Sequence, residues 1–156
     1  MTASRAYNPN YRAHAGLPDP ARDPQFYDGV VFKRFMAWIL DFAFIFILWL
    51  VAGIVTLTLA WWVLPLWVVV DFTYRVLTLT GRSATWGMRA MGIELRDGFG
   101  QKFGFGQAIV HTALFYVSVG FILSHVLSII LMIGTARGQA LHDIPLGSTA
   151  INRPAD

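Results

Sequence analysis

Four charged side chains interrupt a long apolar stretch of this 156-residue chain: Arg34 and Asp41, then Asp71 and Arg75. Arg34 and Asp41 are seven positions apart, which on a helix puts them on nearly one face, about 10 Å apart along the axis. Asp71 and Arg75 are i,i+4 neighbours, close enough on a helix to pair. Charges in apolar surroundings are costly unless they are paired or hydrated. Two chemistries fit. The aspartates could relay protons or small cations. Alternatively they could be clamps, with Asp41 and Asp71 neutralised by Arg34, Arg75 or Arg89 to lock helices together.

His111 lies one turn into a later apolar region and joins this polar layer, while His125 lies deeper. Neither belongs to a metal spacing such as His-Glu-x-x-His, so no metal is expected and a hydrogen-bonded packing role is the default. Ser118, Ser124 and Ser128 read as interhelical hydrogen bonders. Gly98, Gly100, Gly104 and Gly106 resemble a phosphate loop only superficially, because no Lys-Ser/Thr follows them. The chain has no cysteine, which excludes disulfides, thiolate metal sites and thiol catalysis. No Ser or Thr stands with a His and a carboxylate as a recognisable triad. The sequence therefore gives no support to an enzyme, and no cofactor is expected.

The elements that hold these residues must be membrane helices. Hydrophobic residues make up 56% of the chain and charged residues 13%, against roughly 45–50% and 25% in average soluble proteins. Asp41 is the one charge between Arg34 and Asp71, and no Asp, Glu, Lys or Arg lies between Lys102 and Arg137. A spanning helix needs about 20 mostly apolar residues. A first span is expected over 35–56 and a second over 59–79, with Pro65 able to kink it. Gly53, Thr56, Thr58 and the Trp61–Trp62 pair mark the reversal. The third apolar region, 108–133, fits one tilted span of about 39 Å. The alternative is a re-entrant hairpin broken at Gly120, which survives in lipid only when shielded by protein. The expected class is an all-α polytopic membrane protein, a helical hairpin plus this third segment, with short extramembrane strands.

Those strands are expected at Gly92–Asp97, where apolar and polar residues alternate before a glycine, and at Ser148–Asn152. In the re-entrant version the two could pair. Residues 1–29 are polar and proline-containing and read as a flexible cytoplasmic tail, 30–152 as the transmembrane domain and 153–156 as a C-terminal tail. Lys33 and Arg34 flank the first span, the 80–106 loop carries Arg82, Arg89, Arg96 and Lys102, and the hairpin tip carries no charge. The positive-inside rule places the tail and that loop in the cytoplasm. The net charge of +3 is spread beside apolar segments and suits lipid headgroups, not nucleic acid. The expected partners are the bilayer and either further copies of the chain or a larger membrane complex.

Three segments resemble one family in order. Lys33-Arg-Phe-Met-Ala-Trp-Ile-Leu-Asp41 is similar to the opening of the RDD family, named for an arginine at the start of the first helix and aspartates that follow. Thr85-Trp-Gly-Met-Arg-Ala-Met-Gly-Ile-Glu-Leu-Arg-Asp-Gly98 resembles its glycine-rich loop, and Gly138-Gln-Ala-Leu-His-Asp143 with Gly147-Ser-Thr-Ala-Ile151 its C-terminal motif. The resemblance implies a bacterial integral membrane protein of the inner membrane, with Arg34, Asp41 and Asp143 as the name-giving residues. It implies no settled molecular function, although transport has been suggested for the family. Met88 stands where relatives often have lysine, so any role of that lysine toward an anion is absent here. Read from its neighbours, Asp143 precedes Pro145 and suits a turn or cap. With a cytoplasmic C-terminus, it could reach Arg82 or Arg89.

Overall fold

The uninterrupted apolar run after Lys33 and Arg34 contains no proline, and it forms one long helix, α1 (Val30–Val55). At 26 residues it is about 39 Å long. With the 3-10 turn Pro24–Phe26 before it, this helix is long and apolar enough to cross a membrane, and most of its surface is not covered by protein. The computed structural model describes residues 16–154; residues 1–15 of the expected tail lie outside the described residues.

The reversal after α1 is made by Leu57 and Thr58, both in the left-handed region at φ 52° and 73°. Trp61 then folds back across α1. A Cβ on Gly53 would sit 1.5 Å from the Trp61 Nε1, so only glycine admits the indole, whose N–H donates to the Trp49 carbonyl at 3.2 Å. A short helix α2 (Leu59–Trp62) leads into α3 (Leu64–Arg82), which has a proline in its first turn, where the missing N–H costs nothing. Trp67 of α3 packs on Phe42, Phe46 and Trp49 of α1, and Tyr74 packs on Phe44. The two helices therefore run antiparallel, as the expected hairpin requires. Helix α3 is less apolar than α1 and carries Asp71 and Arg75.

The segments after α3 and at the C-terminal end of the chain build a cap at the α1 N-terminal end. Helix α4 (Trp86–Ala90) is followed by β1 (Ile93–Arg96), and β2 (Thr149–Asn152) pairs with β1 antiparallel, Leu95 opposite Ala150. Ile93, Leu95 and Ala150 meet Val30, Ala37, Val76, Leu79, Phe103 and Ala108 in the buried core. Residues 16–28 lie over this layer. Asn152 donates to the carbonyls of Gln25 and Asp28 at 2.8 Å each, and the Tyr27 hydroxyl donates to the Pro18 carbonyl.

The third apolar region is not one straight helix. It divides into α5 (Phe105–Gly120) and α6 (Ile122–Gly134), bent by 113°. Phe121 is extended at the joint (φ −120°, ψ 128°), and the Ser124 hydroxyl lies 3.0 Å from the Ser118 carbonyl and 2.8 Å from that of Phe121. A hydroxyl that takes up the free carbonyls at the end of α5 makes the break affordable. The bend turns the chain back, so that β2 can reach β1. The fold is thus mostly helical, with one clear apolar span, a bent helix pair and two short strands.

Candidate functional site

Arg34 of α1 is buried, and both terminal nitrogens of its guanidinium are engaged. Nη1 donates to Asp143 Oδ2 at 2.6 Å and to the Gly138 carbonyl at 3.3 Å; Nη2 lies 3.3 Å from His142 Nε2. Asp143 is wholly buried and gathers donors from three further places. His111 Nε2 of α5 lies 3.0 Å from Oδ1, the Ala140 N–H donates to Oδ2 at 2.8 Å, and the Ser148 hydroxyl lies 3.3 Å from Oδ1. Burial alone would raise the Asp143 carboxyl, but Arg34 and His111 outweigh it and hold it well below the usual carboxylate range. Burial pushes His142 down to about 3, against the pull of Asp143. The ring is therefore neutral near pH 7. Because Arg34 has only donors, His142 Nε2 must accept and Nδ1 must carry the proton. That Nδ1 is buried without a partner among the described residues.

Spacing alone suggested Asp41 as the partner of Arg34. The structure corrects this: Asp41 is held by three neutral donors and, among the described residues, by no arginine. The Tyr74 hydroxyl donates to Oδ1 at 2.6 Å, the Gly87 N–H to Oδ1 at 2.8 Å and the Thr85 hydroxyl to Oδ2 at 2.6 Å. Thr85 is also the N-cap of α4, accepting from the Met88 N–H. Glycine is required at 87, since a Cβ there would fall 2.2 Å from the Ala37 carbonyl. The Thr85-Trp-Gly-Met segment thus lays a helix N-terminus directly on α1. Arg89 turns away and lies over the Trp86 ring at 5.9 Å.

The expected pair of Asp71 and Arg75 does form, through Arg75 Nε at 2.9 Å. The Tyr116 hydroxyl of α5 donates to the same carboxylate at 2.5 Å, and the guanidinium lies 4.5 Å over the Phe115 ring. This pair ties α3 to α5. His111, expected with this layer, belongs to Asp143 instead, and its ring meets those of His142 and Phe103 edge-on. Asp143 does begin a turn, the 3-10 turn Ile144–Leu146. Its side chain, however, points inward to Arg34 and not to Arg82 or Arg89. Met88 packs against the buried core.

Sequence reasoning missed Tyr74, Thr85, Tyr116 and His142. Tyr74 carried a faint signal, three positions after Asp71 among apolar residues. The others bond across 44 to 108 positions, and no local pattern could announce them.

The ligand atoms of His111, His142 and Asp143 lie within 4.8 Å of one another. A divalent ion there would have to share Asp143 with Arg34, whose guanidinium already balances the carboxylate and faces His142 Nε2. The arrangement is also not a catalytic triad. Ser148 and His111 both turn to the carboxylate, where a triad needs the serine on the histidine.

A long lipid-suited helix, an antiparallel partner helix and buried charges closed off inside the protein define a helical membrane protein. The chain matches the RDD family over residues 29–147, a stretch that contains Arg34, Asp41 and Asp143. It belongs to that family. No curated protein and no solved structure matches it.

Proposed function

We propose that this chain is a multi-pass protein of the bacterial cytoplasmic membrane, with its N-terminus in the cytoplasm. We propose further that it works as an accessory or assembly subunit of a larger membrane complex. The polytopic arrangement is supported by the α1–α3 hairpin and by the bent α5–α6 pair, whose outward side chains are large and apolar. Orientation is supported by Lys33, Arg82, Arg89, Arg96, Lys102, Arg137 and Arg153, all of which lie toward the cap and away from the hairpin tip.

The observation that carries the accessory reading is where the carboxylates end. Asp143 joins α1 and α5 to the C-terminal segment, Asp41 joins α1, α3 and α4, and Asp71 joins α3 to α5. Each accepts a donor from another element; Asp143 and Asp41 fasten the cap to the membrane helices, and Asp71 fastens two of those helices to each other. A carboxylate that carries ions along a path must instead release its partners to water or cargo. Arg34, Asp41 and Asp143 are structural anchors in this reading, with Asp71, Arg75 and His111 as the supporting layer. The test is co-purification in mild detergent. The chain is expected to travel with a larger complex, and substitutions on the exposed surface of the 80–106 loop are expected to release it. Migration as a free species in native membranes opposes the reading.

A second reading, transport of protons or monovalent cations, rests on Asp71. It is the carboxylate farthest from the cap along α3, and its partners are one arginine and one phenol. In liposomes, flux by the wild-type protein that is lost in Asp71→Asn would favour transport over the accessory role.

A further inference from the structure

We propose that Arg82 and Lys102, where the end of α3 meets the approach to α5, form a site for the phosphate of an anionic lipid in the cytoplasmic leaflet. The inference rests on the reading above that α3 and α5 lie in the membrane with the cap at its cytoplasmic face.

The helices set the depth of the pair. Helix α3 runs 19 residues from Leu64 to Arg82, about 28 Å, and the hydrocarbon core is about 30 Å thick. Trp62, exposed just before α3 begins, suits the opposite interface. Arg82 therefore stands at the headgroup plane. Lys102 is brought close to it by Ser83, which ends α3 in the left-handed region at φ 57°. The Ser83 hydroxyl accepts from the Phe103 N–H at 2.6 Å, and its carbonyl accepts from the Leu95 N–H at 2.7 Å. Ser83 and Phe103 are buried, which fixes the backbone beside both cations. Arg82 and Lys102 themselves are exposed.

Charge selects the ligand. Among the described residues, neither cation makes an ion pair or a side-chain hydrogen bond. Elsewhere on the cap, Lys33 is engaged by Asn152, Arg89 by the Trp86 ring, and Arg96 and Arg153 by Glu94. The other carboxylate of this loop is also withdrawn. Asp97 is buried and accepts from the N–H groups of Phe99 and Gln101 and from Gln107 Nε2. The first turn of α5 carries no acid. Two cations without a counter-charge, set between membrane helices on the cytoplasmic side, match a lipid phosphate. Arginine can grip such a phosphate through two N–H groups at once. Phe99 and Phe105, three positions either side of Lys102, are both exposed. Lipid covers such rings beside the headgroup plane, whereas a purely acidic protein surface would not.

The absence of cysteine permits a direct test with the full chain in phosphatidylcholine vesicles holding a minority of phosphatidylglycerol. A dye on Gln101→Cys, exposed beside Lys102, reports the lipid around the site by energy transfer. Each cation near an anionic surface is worth about fivefold. Labelled phosphatidylglycerol should therefore be enriched at least about tenfold over labelled phosphatidylcholine. Arg82→Gln and Lys102→Gln should each cut that ratio about fivefold, and the double variant should abolish it. Arg153→Gln removes the same charge from a residue that already faces Glu94, and should change the ratio by less than about twofold. No enrichment, enrichment that survives the double variant, or an equal loss in Arg153→Gln would each overturn the proposal. So would displacement by excess inorganic phosphate, which would assign the pair to a soluble anion. Absence of enrichment together with a cross-link from Gln101→Cys to a protein in native membranes would assign it to an acidic protein surface instead. Alkaline washing of the vesicles separates the two levels. Release of the chain would count against membrane insertion itself, whereas retention without enrichment would count against this site alone.

Discussion

Removing both members of the Arg34–Asp143 pair should cost clearly less than the two single removals added together. The two groups meet at 2.6 Å with side chains 8% and 0% exposed, so the surviving charge in a single variant is left largely buried. Stranding a buried charge costs about 3–5 kcal/mol, whereas replacing a whole buried pair with apolar groups is often near neutral. Arg34→Met leaves the Asp143 carboxylate with His111, the Ala140 N–H and Ser148, and should fall at the lower end of that range. Asp143→Leu leaves a guanidinium with only the Gly138 carbonyl and His142 Nε2, and should fall at the upper end. In the double variant the coupling should return at least about 2 kcal/mol relative to the sum of the singles. The assay is reversible unfolding in mixed micelles, followed by the fluorescence of the six tryptophans. Two single variants that each lose under about 1 kcal/mol, or a double variant that is simply additive, would refute the reasoning.

Gly87→Ala should lower the melting temperature, because its Cβ must displace α4 from the Ala37 carbonyl; overpacking of this kind costs about 1–3 kcal/mol. Gly81→Ala, which meets open space, is the control and should not destabilise. Thr85→Val removes both a donor to Asp41 and the α4 cap and should cost about 1–3 kcal/mol, measured by the same unfolding assay. Acid sensitivity is expected from His142. Its folded value of about 3 lies below the ordinary 6.5, so between these limits the unfolded chain binds a proton that the folded chain does not. Stability is then fully present above about pH 6.5 and is lost as pH falls toward 3, by up to roughly 1.4 kcal/mol per pH unit. His142→Gln should flatten that slope, and an unchanged profile between pH 6.5 and 4 would remove His142 as its source.

Much of the architecture was legible because it is written locally. The charge-free runs gave α1 and the hairpin, and the alternation at Gly92–Asp97 gave β1. Glycine, threonine and paired tryptophans marked the reversal. The bend in the third apolar region was legible only as an alternative. Twenty-six apolar residues suit a tilted helix as well as a broken one, and what decides is the Ser124 hydroxyl meeting carbonyls three to seven positions back. The site was less legible. A seven-residue spacing places Arg34 and Asp41 on one helical face, but it cannot show which tertiary element covers each of them. Thr85 and Gly87 cover Asp41, and the turn at Asp143 covers Arg34. Here tertiary packing overrode a correct local inference. His142 was hidden for the same reason, since its surroundings come from α1, α5 and the C-terminal segment together.

Labelling of single introduced cysteines in intact cells tests most directly whether the buried charges fasten a cytoplasmic cap to the membrane helices. Lys102 and Arg153 lie exposed on the cap, and Leu57 lies exposed at the hairpin tip. Lys102→Cys and Arg153→Cys should resist an impermeant reagent until the membrane is opened, while Leu57→Cys should react from outside. Reaction of Arg153→Cys from outside intact cells, with Lys102→Cys protected, would put the two strands on opposite sides of the bilayer and contradict the Arg34–Asp143 anchor.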